Sequence, residues 1–433
     1  MARFSIENFG CRATDADAAA LRRALIADGL TQVEEHASAD VVVLNTCTVT
    51  AAADAQAREA VRKIHRANPG ARIVVTGCYA QRAPEELAAI DGVEFVVGNS
   101  HQARIPSILR AGFVPLAELE GGELSLARGP AKILSGDIFA QSTVQIAPAD
   151  SGAGERTRPI LKIQDGCNNR CSYCVIPFVR GKSRSLAPDE VVREARALSE
   201  AGAKEIVLSG INLGSYGRDL SPRAALGEVV RRILGETAVD QLRLSSIEPQ
   251  DVTEDFVALV ASSPRMARHF HVPLQSGCDR ILGAMHRWYR TGHYAERVNL
   301  IRRMLPDAAI GADVIAGFPG ETDADFLATF EFVERLPLTY LHVFSFSERP
   351  GTAAAALGDR VAAATIRDRA RALRELSQRK SDEFRAAQAG CSVRALTLAR
   401  GGEGYTEALT GNYLKVRVAG RHAANEWHDV VVA

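Results

Sequence analysis

The chain has 433 residues, 46% hydrophobic and 24% charged, a balance that suits several packed domains and excludes disorder, collagen-like repeats or a small disulfide-stapled fold. Its 52 Lys and Arg balance 52 Asp and Glu, so no whole-molecule basic field argues for a nucleic-acid partner and any such contact must be a local patch. No apolar run approaches the roughly 20 residues of a bilayer span, and the opening Met-Ala-Arg-Phe-Ser-Ile-Glu lacks a secretory core. A cytoplasmic chain with no membrane partner is expected.

Residues 1–112 alternate apolar runs with helical patterns. Arg3 to Glu7, Val41 to Leu44, Arg72 to Thr76 and Val93 to Val97 read as strands, Ala16 to Asp28 as a helix closed by Gly29, and Ala51 to Ala67 as a helix stopped by Asn68-Pro69-Gly70. Alternating strands and helices imply an α/β fold with a doubly wound parallel sheet. Cys11, Cys47 and Cys78 each fall just beyond the C-terminal end of such a strand. Ligand crevices of open α/β sheets lie outside those ends, so three cysteines distant in sequence are expected to converge on one rim.

Residues 113–152 show no sustained period and read as a connecting segment with a hairpin and a Ser/Gly/Ala stretch. Residues 153–382 then hold six strand candidates, Ile160 to Ile163, Glu205 to Ser209, Gln241 to Ser246, His269 to Pro273, Ala309 to Ile315 and Tyr340 to Phe346, separated by helical patterns. This predicts an incomplete (β/α)6 barrel with its chemistry at the strands' C-terminal face. Residues 383–433, with β-like runs at Val393 to Leu398 and Tyr413 to Val418, read as a small all-β module.

Eight cysteines stand at 11, 47, 78, 167, 171, 174, 278 and 391. In a reducing compartment, clustered cysteines point to metal or redox chemistry rather than disulfides. Cys167, Cys171 and Cys174 form a Cys-x3-Cys-x2-Cys loop directly after the first barrel strand. Thiolates suit zinc or iron-sulfur clusters, and a structural zinc site needs four ligands where only three stand close in sequence. Three thiolates on a 4Fe-4S cluster leave one iron open for another ligand; zinc with a distant fourth ligand, or inert thiols, are the competing readings.

That loop, set after the first strand of a six-fold β/α series, resembles the radical S-adenosylmethionine (SAM) superfamily. The resemblance implies that SAM chelates the open iron of a cluster held by Cys167, Cys171 and Cys174 and is cleaved to a 5'-deoxyadenosyl radical, which makes those cysteines the catalytic center. Tyr173 matches the family's aromatic position near cluster and adenine. Ser209, Gly210 and Asn212, at the end of the second strand, and Glu248, after the third, are implied SAM contacts, although Gly210 and Glu248 equally suit a turn or a helix start.

Asn45-Thr46-Cys47-Thr48-Val49, Thr76-Gly77-Cys78-Tyr79 and Gly10-Cys11 resemble the amino-terminal domain of the methylthiotransferases. His271-Val272-Pro273-Leu274-Gln275-Ser276-Gly277, Gly317-Phe318-Pro319-Gly320-Glu321-Thr322 and Ser347-Glu348-Arg349-Pro350-Gly351-Thr352 resemble their radical core. The resemblance implies a second 4Fe-4S cluster on Cys11, Cys47 and Cys78 that carries sulfur for insertion, a sulfur donor to restore it, and an electron donor such as flavodoxin or ferredoxin. Thr14 stands where relatives usually have Asn, and Cys278 where Ser is common. Cys278 and Cys391 are expected to be buried small hydrophobes rather than ligands.

The carboxy-terminal module, with Tyr405 and Tyr413, resembles a TRAM domain associated with RNA binding, and the basic run Arg367 to Lys380 precedes it. Leu244-Ser245-Ser246-Ile247-Glu248-Pro249 and Leu341 to Ser347 resemble the branch acting on threonylcarbamoyl-adenosine at position 37 of tRNA, whose partner is the anticodon stem-loop. The isopentenyl-adenosine branch, the ribosomal-protein aspartate branch and a non-catalytic iron-sulfur or zinc RNA-binding protein are the alternatives. An acidic modification would suit basic residues such as Arg184, Arg243 or Arg349, which could equally serve SAM or structure.

Overall fold

Val41–Thr46 is buried at all six positions, as a strand covered on both faces must be. The computed structural model describes residues 2–111, 122–126, 131–144 and 157–432. Its strands are β1 (Arg3–Asn8), β2 (Thr31–Gln32), β3 (Val41–Thr46), β4 (Arg72–Gly77), β5 (Val93–Gly98), β6 (Gly122–Leu126) and β7 (Lys132–Gly136). After them come β8 (Ile160–Lys162), β9 (Gln164–Asp165), β10 (Arg184–Ser185), β11 (Glu205–Ser209), β12 (Gln241–Leu244), β13 (His269–His271), β14 (Ala309–Ala316) and β15 (Tyr340–Ser345). The last four are β16 (Ser392–Gly402), β17 (Tyr405–Thr410), β18 (Lys415–Ala419) and β19 (Trp427–Val431).

Two compact units form. The first holds residues 1–148, 164–185 and 347–355, and the second residues 149–163, 186–346 and 356–433. In the first, seven strands run in the order β2-β1-β3-β4-β5-β7-β6, parallel except for the β6/β7 hairpin. Alternate residues face opposite ways along a strand. Val42 and Leu44 therefore pack with Ala57, Val61 and Ile64 of the helix Ala51–Ala67, while Val41 and Val43 pack with Leu21 and Leu25 of the helix Arg12–Ala27. Each fully buried Val or Leu contributes about 1.5–3 kcal/mol through removal of its surface from water.

The helix Ala51–Ala67 has the predicted bounds: Thr50 Oγ1 accepts from the Ala53 amide at 3.2 Å, and the apolar residues Ala57, Val61 and Ile64 share one buried face. The helix predicted from Ala16 begins instead at Arg12, because Ala13 and Thr14 are buried against the sheet and extend the apolar face by one turn. Of the connecting segment predicted over 113–152, residues 122–126 and 131–144 are described, and they hold the β6/β7 hairpin and a single turn at Ile138–Ala140; the rest lies outside the described residues.

In the second unit β8, β11 and β12 are parallel, as are β13, β14 and β15. Bridges Leu242↔Met266 and Ser246↔His271 carry the parallel order across from the β12 side to β13. Gly311 of β14 is necessary here, since a Cβ at that position would stand 2.0 Å from the Tyr340 ring. The final strands form an antiparallel sheet in the order β18-β17-β16-β19.

This sheet is tied to the parallel strands of its own unit. Arg243 donates to the carbonyls of Thr410 and Gly411 at 3.1 Å each, and Tyr413 stacks on His269 with ring centroids 4.2 Å apart. Tyr413, read from sequence as part of an RNA-binding module, thus packs inward. Within the basic run, Arg369 is buried against Glu321 and Asp323, and Lys380 donates to the carbonyls of Glu334 and Leu336, so the exposed charge is thinner than the sequence count.

Candidate active site

The strands β1, β3 and β4 are neighbors in the sheet, with Asn8 opposite Asn45 and Asn45 opposite Thr76. Cys11, Cys47 and Cys78 follow their C-terminal ends, so topology alone sets three cysteines from distant sequence positions side by side. Burial pushes the Cys47 thiol up to about 12, with Cys78 and Cys11 adding to the rise, and burial pushes Cys78 up as well. Such a thiol keeps its proton at neutral pH, and a metal would bind at this rim only by displacing it.

The surroundings are tightly fitted. Gly10 has φ +128, and a Cβ there would stand 2.6 Å from Cys47 Cβ and 3.1 Å from its Sγ. Thr14 Oγ1 donates to the Cys11 carbonyl at 2.7 Å, and Asn45 Nδ2 donates to the Thr14 carbonyl at 2.7 Å. The replacement of the usual Asn by Thr14 therefore leaves the local hydrogen bonds made.

The second set stands in the same unit. Cys167, Cys171 and Cys174 lie on the loop between β9 and the helix Ile176–Arg180, each partly buried. The Cys167 amide donates to the Gly181 carbonyl at 3.1 Å, which closes the loop at its base. Gly166, φ +71, permits this closure, since a Cβ would stand 2.0 Å from the Lys182 carbonyl oxygen. The Asn169 amide points at Cys167 Sγ at 3.4 Å, and Tyr173 is half-buried on the same loop.

Two features join these sets, Arg180, unmarked by the sequence reading, and the segment quoted from sequence as Ser347-Glu348-Arg349-Pro350-Gly351-Thr352. Arg180, 2% exposed, donates to Asp17 at 2.7 Å and to both oxygens of Asp165 at 3.1 and 3.2 Å. The segment Ser347–Ala355 spans both: Arg349 pairs with Asp54 at 2.6 Å and donates to the Thr48 carbonyl at 3.2 Å, while the Ala354 amide donates to the Ser172 carbonyl at 2.7 Å. A buried charge needs a partner, but sequence does not say which of 104 charged residues supplies it.

In the second unit Ser209 closes β11 and is 1% exposed, Gly210 follows it, and Asn212 caps a single turn at Leu213–Ser215. Glu248 stands at the start of the turn Pro249–Asp251 and is ion-paired to Arg287; burial pushes its carboxyl up. His271 Nε2 and His342 Nδ1 flank Asp313 Oδ1 at 2.9 and 3.3 Å, with the Tyr340 hydroxyl 3.1 Å from His271 Nδ1. Both histidines belong to motifs quoted from the sequence, without a role assigned to either.

Other expectations are corrected. Arg184, Arg243 and Arg349 are buried and engaged with Arg180 and Lys182 carbonyls, with Glu205, and with Asp54 respectively, so their charge serves the fold. Cys391 is exposed, at the head of the carboxy-terminal sheet, rather than buried. Cys278 is half-buried, and its thiol donates to Asp325 at 3.1 Å because it stands beside that residue's cap of the helix Asp323–Arg335.

Residues 3–98 match the family described as Uncharacterized protein family UPF0004, and residues 161–333 match the Radical SAM superfamily. The threonylcarbamoyladenosine tRNA methylthiotransferase MtaB of Aquifex aeolicus is 37% identical over 418 residues, 96% of this chain and 97% of the relative. That of Bacillus subtilis is 36% identical over 89% of this chain and 82% of its own length. The tRNA-2-methylthio-N(6)-dimethylallyladenosine synthase of Syntrophobacter fumaroxidans is 35% identical over 82% and 76%. Among solved structures, the radical SAM methyltransferase TsrM of Kitasatospora setae superimposes with a TM-score of 0.60 at 18% identity, covering 82% of this chain and 77% of its own, which shows shared fold. The sequence relatives, matched over 76–97% of their own length, place this chain in the radical SAM methylthiotransferase family of enzymes, whose radical center uses a 4Fe-4S cluster and S-adenosylmethionine.

Proposed function

We propose that the protein inserts a methylthio group at C2 of N6-threonylcarbamoyladenosine at position 37 of tRNA. The observation that carries this reading is the gathering of two cysteine triads in one compact unit, joined to 36–37% identity, over 89–96% of the chain, with relatives named for that substrate. An unactivated C–H bond resists ordinary sulfur nucleophiles, so the chemistry needs a radical source and a sulfur held ready nearby.

In this reading Cys167, Cys171 and Cys174 hold the radical cluster, and Cys11, Cys47 and Cys78 hold an auxiliary 4Fe-4S cluster. Three soft ligands on each leave an open iron. When bound, the clusters would supply the reducing electron and the sulfur, and SAM would supply both the radical that activates the C–H bond and the methyl group. The chain itself positions them: Gly10 lets the Cys11 loop close on Cys47, and Gly166 lets the central loop fold back onto Lys182. Tyr173, Ser209, Gly210, Asn212 and Glu248 are the proposed SAM contacts.

The same reading divides the chain into an amino-terminal domain at 1–112 with a doubly wound sheet, a connection at 113–152, a radical SAM core at 153–382 and a TRAM-like module at 383–433. It places the protein in the cytoplasm, with the tRNA anticodon stem-loop, a sulfur donor and a flavodoxin or ferredoxin as partners. No helix among the described residues is long and apolar enough to cross a membrane.

The test is expression in a bacterium lacking its own tRNA methylthiotransferases, followed by nucleoside mass spectrometry of digested tRNA. Methylthio-threonylcarbamoyl-adenosine with wild type and none with Cys171→Ala is the expected result. Methylthio-isopentenyl-adenosine instead would overturn the substrate, and no new nucleoside would overturn the tRNA reading.

A further inference from the structure

The helix Ile176–Arg180 begins two residues after Cys174 and reaches the other cysteine set. Val175 and Val179 pack on Cys78. Asn99 Nδ2 bridges the same contact, at 2.8 Å from the Val179 carbonyl and 3.6 Å from Cys78 Sγ. Arg180 ends the helix, with its guanidinium between Asp17, on the helix that follows Cys11, and Asp165, two residues before Cys167. One buried cation thus stands beside two cysteine sets that both become anionic when they bind iron.

We infer that Arg180 is a positioning residue that offsets negative charge at the Cys11, Cys47 and Cys78 site and so raises the reduction potential of the cluster held there. The inference rests on the cluster reading above. Arg180 keeps its charge because it is ion-paired to Asp17 at 2.7 Å and to Asp165 at 3.1 Å, and its helix packs on Cys78 through Val175 and Val179. Iron-sulfur potentials follow the net charge around the cluster and the hydrogen bonds to its sulfurs. Asp17 and Arg180 then form a balance: removing the cation makes the cluster harder to reduce, and removing the anion makes it easier.

The test uses the full chain with Cys167, Cys171 and Cys174 replaced by Ala, so that the first triad's cluster is read alone, and an EPR-monitored redox titration. Arg180→Gln is expected to move the midpoint to a more negative potential, Arg180→Lys to stay near the parent, and Asp17→Asn to move it to a more positive potential. Asp17→Asn keeps the test decisive if Arg180→Gln fails to fold. Unchanged midpoints in variants that retain about four irons per chain would overturn the inference. A parent that binds no iron would overturn the cluster reading itself, and the inference with it.

Discussion

Asp54 and Arg349 stand 295 positions apart in the chain and meet at 2.6 Å with side chains only 5% and 6% exposed. Asp54 also accepts from Thr48 Oγ1 at 2.6 Å and Arg82 at 3.0 Å, so one carboxylate gathers the loop after Cys47 and the Ser347–Ala355 segment. Asp54→Ala would leave Arg349 buried without its anion and Arg82 with only the Glu86 carboxylate at 3.7 Å, and breaking such a buried pair costs about 3–5 kcal/mol. Denaturant unfolding should show a matching fall in midpoint; an unchanged midpoint would refute the clasp.

Glu205 and Arg243 are both 0% exposed and pair at 2.8 Å, with Arg158 a third member at 3.1 Å from Glu205. Burial alone would raise the Glu205 carboxyl, but the two arginines hold it below its ordinary value. Arg243→Ala is expected to cost about 3–5 kcal/mol. Because Arg243 also holds the Thr410 and Gly411 carbonyls, hydrogen exchange should rise first in β17; uniform exchange along the chain would contradict that role.

Gly10→Ala combines a positive φ with a Cβ placed 2.6 Å from Cys47 Cβ. The strain falls on the Cys11 and Cys47 loops and not on the central loop. Reconstituted iron should fall from about eight to about four per chain, two cubanes to one. Retention of about eight would show that the Cys11 loop relaxes without loss of its site.

Burial would raise the Asp313 carboxyl, but His271 and His342 hold it well below the usual carboxylate range. A carboxylate depressed in the fold stabilizes it above its unfolded pKa of about 3.9, and that stability is lost as pH falls below this value. Thermal melts of the wild type and Asp313→Asn should differ at pH 7, and the gap should narrow progressively as pH falls from about 4 to 2. A constant gap across that range would show that Asp313 acts through packing alone.

Much of the fold was legible from local pattern. Valine-rich runs, the Thr50 cap and the Asn68-Pro69-Gly70 stop specified strands and a helix, because hydrogen bonding and burial periodicity act over a few residues. The convergence of Cys11, Cys47 and Cys78 was legible as well, since parallel topology sends successive strand ends to one edge. The strand order that makes β1, β3 and β4 neighbors is a tertiary fact.

Sequence by itself thus determined the two cysteine triplets proposed as cluster sites, the strand–helix alternation behind the parallel sheets, and the family resemblance. Only the tertiary structure decided which charges are internal. Arg184, Arg243 and Arg349, which from sequence could meet an acidic substrate, SAM or the fold itself, are buried structural cations, while Arg180, unremarkable in sequence, joins Asp17 at a separation of 163 residues. The physical reason is desolvation: a charge taken out of water must find its counter-ion in three dimensions, and that partner is set by how the chain packs rather than by any local spacing.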